Sequence, residues 1–400
     1  ETTNEIHNLE IESGNLTIPN LIANKVSNGG KLSASGSVTI TTDLSNTGTV
    51  ETATLSVGQD ISNNAVITTT TTNVGRNLTD NGTSFAGTIN FVGTSAQTFS
   101  PNASTTYGDI NIQGDGTSAS TTTITNDLKA GIVTIANNST LQTNGSGIAN
   151  IEITRFDIEE GSQLILNGAM VTTSDATTYR GLSGTGFTIS AGTNSITIDQ
   201  ETVQTTAEQV YKSPVTLARN TTFEITGNGD DLVFEKPITT NGKSLTAITN
   251  EGNITFGSEN SEAFSDNATV DLKGPATIYG ENEFTSITSN DSLTLINNNS
   301  VGTLSVTSAG GKTLTIDGQI TVTTMELSGT DTDKLKIDGS GKFSFTAEPS
   351  GNVGTYLKFI NKESPMVVIP DKPNGMNILK YSLDHADGTT EFPSGWQEII

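Results

Sequence analysis

Apolar residues in this chain alternate one by one with Thr, Ser and Asn, in short runs closed by Gly, Asn or Asp. Gly87-Thr88-Ile89-Asn90-Phe91-Val92-Gly93 sets the pattern, and Gly108-Asp109-Ile110-Asn111-Ile112-Gln113-Gly114 repeats it 21 positions later. Side chains two apart on an extended strand share a face, so each apolar–polar–apolar triplet predicts a strand with one buried and one wet side. Leu293-Thr294-Leu295, Leu314-Thr315-Ile316 and Leu335-Lys336-Ile337 recur at the same offset of 21, as do Leu304/Val306 and Met325/Leu327. Two intervals differ: 23 from Val270/Leu272 to Leu293/Leu295, and 18 from Val133/Ile135 to Ile151/Ile153. Such a repeat predicts an all-β fold, a right-handed parallel β-helix (β-solenoid) with coils of about 21 residues.

The intervening residues supply corners. Asn144-Gly145, Asn241-Gly242 and Asp115-Gly116 offer the positive backbone angles or local side-chain bonds that turns require. Helix signals are nearly absent; the one candidate is Ala207-Glu208-Gln209-Val210-Tyr211. Five of the ten prolines (Pro349, Pro365, Pro370, Pro373 and Pro393) and the single Trp396 fall after residue 348. This shift divides the chain into a solenoid over 1–350 and a cap, or the edge of a second module, over 351–400. Proline-spaced runs such as Met366 to Ile369 fit a coil poorly, because proline cannot donate to a ladder.

Composition fits this architecture better than it fits an ordinary domain. Only 32% of the 400 residues are hydrophobic, against about 45–50% apolar usage in average globular chains. A solenoid needs only a narrow apolar column, because every coil buries its interior against its neighbours. Net charge is −24, from 43 acidic and 19 basic residues. That surface repels phosphate backbones, so nucleic acid is excluded as a partner, and anionic membranes are disfavoured for the same reason. The absence of cysteine excludes disulfides and thiolate metal sites. No apolar run approaches the ~18 residues of a transmembrane helix, so none is expected within this chain. The chain opens at Glu1 without a leader and is expected to be a processed or excised segment.

Candidate chemistry is sparse. His7 and His385 are the only histidines, and Asp384-His385-Ala386-Asp387-Gly388 reads as a polar turn. Acidic clusters occur at Asp157/Glu159/Glu160, Asp230/Asp231/Glu235, Glu259/Glu262/Asp266 and Asp331/Asp333. Paired carboxylates on adjacent coils could hydrolyse glycosides, one as acid and the other as base or nucleophile. They could equally hold Ca2+, the one cofactor left open. The prevailing reading is that Asp and Glu crowd the loops of any strongly acidic chain. Catalytic and metal residues are therefore assigned as none, and binding residues are left open. The threonine runs Thr68 to Thr72 and Thr121 to Thr123 are isolated, which argues against a water-ordering threonine array on many successive coils.

The stretch Gly87 to Gly114 resembles the repeat units of passenger regions in bacterial type V secretion proteins, the autotransporter and filamentous-haemagglutinin-like exoproteins. The resemblance implies a β-helix, export through an outer-membrane pore and, commonly, adhesion; it carries over no active-site residues. The expectation is an extracellular or bacterial cell-surface adhesin or structural rod. Its partner would be a glycan or protein on another cell surface, or further copies of itself. The alternatives are a β-helical polysaccharide-degrading enzyme and a surface-layer assembly subunit.

Overall fold

The computed structural model describes residues 6–114, 120–145, 150–259, 262–307 and 312–328. Beyond these it describes the strands Leu335–Asp338, Lys342–Phe345, Ser350–Gly351, Leu357–Phe359 and Met366–Val368. These residues fall into two compact units, 1–196 and 197–400. Each is a parallel β-solenoid: short strands pair in parallel with strands one coil earlier and one coil later. Among the described residues there is no helix, and hence none long and apolar enough to cross a membrane.

In the first unit the interior is built from stacked triplets. Val26, Leu44, Ile61 and Leu78 form one buried column, and Ile89, Ile110, Val133 and Phe156 another. The pairing of Gly87–Gly93 with Gly108–Gly114 is as the sequence predicts: Ile89, Asn90 and Phe91 lie beside Ile110, Asn111 and Ile112. The coil length is not uniform. Steps of 17 residues dominate up to residue 91, and steps of 21 and 23 follow. The extra residues sit in corners and leave the strand register intact.

The 17-residue coils are tight enough that their corners need glycine. A Cβ on Gly75 would lie 2.0 Å from the Gly58 carbonyl oxygen, a spacing that no side chain tolerates. Gly87 sits at a register shift between Ala86 and Thr88 with φ of +102°, where a Cβ would lie 2.2 Å from the Thr69 carbonyl oxygen. A bulge at that site is open to glycine alone.

In the second unit aromatic rings stack along the interior. Tyr211, Phe234 and Phe256 are register neighbours on successive coils. Tyr211 and Phe234 lie nearly parallel with centroids 4.7 Å apart, and Phe234 and Phe256 follow at 5.3 Å. Phe223 meets the edge of this stack 5.0 Å from Phe234. The helical candidate at 207–211 is corrected here: Gln209–Tyr211 is a fully buried strand. Five residues cannot repay helix nucleation, and stacking on Phe234 rewards the extended form.

Three register expectations are also corrected. Leu314 lies beside Ile337, not Leu335. Leu293 stacks on Ala276, while Val270 lies beside Ile287. Val133 lies beside Phe156, while Ile151 lies beside Leu128. Each coil carries two or three interchangeable apolar–polar–apolar triplets, so equal-looking triplets can belong to different columns. The columns from Leu293 to Leu314 and from Leu304 to Met325 stand as predicted. Past residue 350, Leu357–Phe359 and Met366–Val368 pair in parallel with Leu335–Asp338 and Lys342–Phe345. The proline-flanked segment at 366–368 thus takes a strand pairing after all. The rest of the expected cap, with Trp396 and His385, lies outside the described residues, as do Asp331 and Asp333 of the solenoid span.

Candidate functional site

Backbone N–H groups at the corners need acceptors once the strands end, and the acidic and amide side chains supply them. The Asp109 carboxylate accepts from the Ile132 N–H at 2.9 Å, and Asp127 accepts from Asn150 at 2.9 Å. Asn20, Asn77 and Asn220 do the same for Ser37, Thr98 and Ser244. Each predicted acidic cluster among the described residues gives one carboxylate to this role. Asp157 is held by both arms of Arg155, at 2.8 and 3.1 Å, and its register neighbours Thr134 and Thr178 are not acidic. Glu159 accepts from the Asn137 N–H at 2.8 Å, and Glu160 is exposed. Asp266 accepts from Thr240 and Asn241 at 2.8 and 2.7 Å, whereas Glu259 and Glu262 are exposed. Asp231 accepts from Asn253 at 2.7 Å, and Glu235 faces Lys212 at 3.9 Å.

Ion pairs tie further coils together, among them Lys31–Glu51, Lys129–Glu152 and Lys312–Asp291. Asp60 binds Arg76 through two oxygens and also accepts from the Asn77 backbone. The Arg76 hydrogen bond is the main cause that holds the Asp60 carboxyl below its ordinary value. Among the described residues no group of three or more His, Asp and Glu side chains comes together as a metal site. His7 is exposed on the strand Ile6–Ile11.

One carboxylate juxtaposition escapes the sequence reading. Gln209 and Leu232 are register partners, which sets Glu208 beside Asp231 on neighbouring coils. Partial desolvation, followed by the charges of Asp231 and Asp230, raises the Glu208 carboxyl above its ordinary value, and Lys212 opposes the shift. Glu208 nonetheless stands on the exposed surface.

Two amide ladders also become visible only in three dimensions. Inside the first unit, Asn28 donates to Asn46 at 2.8 Å, Asn46 to Asn63 at 2.7 Å, and Asn63 to Asp80 at 2.7 Å. All four side chains are buried. Asp80 ends the chain, accepting also from the Gly82 N–H at 3.0 Å and the Tyr107 hydroxyl at 2.5 Å. Burial first, and then that hydrogen bond, pushes the Tyr107 phenol well above its ordinary value. The sequence signal was present: Val26-Ser27-Asn28, Leu44-Ser45-Asn46, Ile61-Ser62-Asn63 and Leu78-Thr79-Asp80 repeat at offsets of 18, 17 and 17.

Outside the same unit a polar face runs across successive coils. The outward pairs Ser37/Thr39, Thr54/Ser56, Thr71/Asn73 and Thr88/Asn90 lie in register. Asn73 donates to Ser56 at 3.0 Å, Asn90 to Asn73 at 2.9 Å and Asn111 to Asn90 at 2.8 Å. The run Thr68 to Thr72 only partly joins this face, because Thr69 and Thr72 are buried and hydrogen-bonded to each other at 2.9 Å. The face ends in an open depression lined by Val92, Asn111, Gln113, Gly114, Thr134, Ala136 and Glu159.

Compared with known proteins, the chain matches no family model, no curated protein and no solved structure. The functional reading therefore rests on this geometry. It contains an extended hydroxyl- and amide-bearing face with a notch at its end, set on a scaffold in which acidic groups such as Asp109, Asp127 and Glu51 join neighbouring coils.

Proposed function

We propose that this chain is an extracellular, non-enzymatic surface-binding or structural β-solenoid of the bacterial type V passenger kind, binding glycan or protein through the polar face of its first unit. The observation that carries this reading is the division of labour among polar side chains. Carboxylates such as Asp109, Asp127, Asp266 and Glu51 are spent on corner N–H groups and inter-coil ion pairs. The hydroxyls and amides of Thr54/Ser56, Thr71/Asn73 and Thr88/Asn90 instead form a regular outward array. Such an array offers many weak hydrogen bonds to an extended partner, and multivalency turns weak contacts into retention. The acidic surface also keeps the chain soluble and disfavours anionic partners.

The test is retention of the whole chain on a panel of immobilised glycans and extracellular-matrix proteins. Introducing T54E, T71E and T88E together is expected to weaken retention at least tenfold while leaving the β-sheet circular dichroism unchanged. Undiminished retention would remove the polar face from the account, and a wild-type chain retained by nothing on the panel would overturn adhesion itself.

A second reading, glycoside hydrolysis, is favoured by one observation: Glu208, its carboxyl raised above the ordinary value by partial desolvation and nearby charge, neighbours Asp231. Strands one coil apart lie ~4.8 Å from each other, near the ~5–5.5 Å separation of retaining glycosidases. Against it, no aromatic ring is exposed among the described residues to seat a sugar beside the pair.

A further inference from the structure

The depression at the end of the polar face has a specific origin in the coil register. Phe91, Ile112, Ile135 and Ile158 stack in one column, so the positions just after them, Val92, Gln113, Ala136 and Glu159, form the next. Asn90, Asn111, Thr134 and Asp157 form the column just before. On one coil both outward residues are small, Thr134 and Ala136; the coil before them carries amides and the coil after them carries Glu159. A slot one coil wide results. Its walls are two coils apart, roughly 10 Å at the backbone, which leaves room for one six-membered ring set on edge.

The walls are rich in acceptors. Asn111 commits one amide N–H to the Asn90 oxygen, and Gln113 commits one of its own to the same oxygen at 3.3 Å. Their carbonyl oxygens remain to face a ligand. Glu159 uses one oxygen for the Asn137 N–H and keeps the other. Thr134 supplies a hydroxyl at the floor, and Val92 and Ala136 supply apolar surface. Acceptors on both sides with small apolar patches between them suit a ring that carries hydroxyl donors at its edge and C–H groups on its faces.

Resting on the adhesive reading above, we infer that this slot is a subsite for a single uncharged saccharide ring, and that Glu159 makes it reject anionic sugars. Binding at one slot is weak, because no aromatic ring lines it and each hydrogen bond merely replaces one made to water.

The experiment is calorimetric or saturation-transfer titration of the whole chain with three soluble probes: a neutral hexose trisaccharide, an N-acetylhexosamine trisaccharide and a hexuronate trisaccharide. The wild-type chain is expected to bind at least one neutral probe with millimolar affinity and the uronate at least tenfold more weakly. The double variant T134N/A136Q, which continues the amide columns through the slot, is expected to weaken neutral binding at least tenfold. E159Q is expected to narrow the discrimination against uronate, since the corner N–H keeps its acceptor. Unchanged neutral binding in the double variant would overturn the subsite. So would a chain that is retained on immobilised partners yet binds no neutral probe; that outcome leaves adhesion standing, whereas loss of retention by the wild type counts against adhesion separately.

Discussion

Replacing Asp80 by alanine is expected to destabilise the coils around it by about 3–5 kcal/mol. Three buried donors, the Asn63 amide, the Gly82 N–H and the Tyr107 hydroxyl, converge on its two oxygens. Each buried donor left without an acceptor costs about 1–3 kcal/mol, and partial relaxation brings the sum below the simple total. Asp80→Asn should cost far less, roughly 1 kcal/mol, because an amide oxygen can still accept from Asn63 and Gly82 while its nitrogen faces the Tyr107 oxygen. Native-state hydrogen exchange across the strands Ile61–Asn63 and Asn77–Asp80 reads the difference locally, which suits a repeat structure better than one global unfolding energy. Equal exchange in the two variants would mean that the ladder contributes volume and not hydrogen bonding.

The second large effect lies in the other unit. Phe234 is fully buried between Tyr211 and Phe256, with Phe223 against its edge. Phe234→Ala removes a ring that has partners on both faces, and a large-to-small change of this kind costs about 3–5 kcal/mol. Phe234→Leu restores most of the volume and should recover more than half of the loss. Denaturant unfolding of the two variants, followed through the near-ultraviolet signal of the tyrosines, checks the order. A Phe234→Ala chain as stable as the parent would show that the rings do not pack as a stack.

The fold was legible because the alternation of single apolar and polar residues states both the strand and the buried face, as in Ile89-Asn90-Phe91 and Leu293-Thr294-Leu295. Register was only partly legible. Leu335 and Ile337 are both apolar and lie two apart, so nothing in the sequence says which of them meets Leu314; corner length decides, and it varies. The inner ladder was written in the chain as Val-Ser-Asn, Leu-Ser-Asn, Ile-Ser-Asn and Leu-Thr-Asp. An offset of 21 hides that series because its own step is 17 or 18, and because an asparagine beside a turn already has an ordinary explanation. The slot was illegible for another reason. Thr134 and Ala136 are unremarkable in their own strand and make a hollow only between Gln113 and Glu159, 23 residues to either side. Glu208 likewise gains its neighbour Asp231 only through coil stacking.

We propose that the carboxylates of this solenoid build the scaffold and do not turn over substrate. It is tested most directly by assaying purified chain for release of reducing ends from neutral and acidic polysaccharides, beside the same preparation carrying Glu208→Gln. The account predicts no release above background from either protein, together with retention of the intact polysaccharide or of a protein partner. Sustained release by the parent chain that disappears in the Glu208→Gln variant would contradict it and make the Glu208–Asp231 pair a catalytic centre.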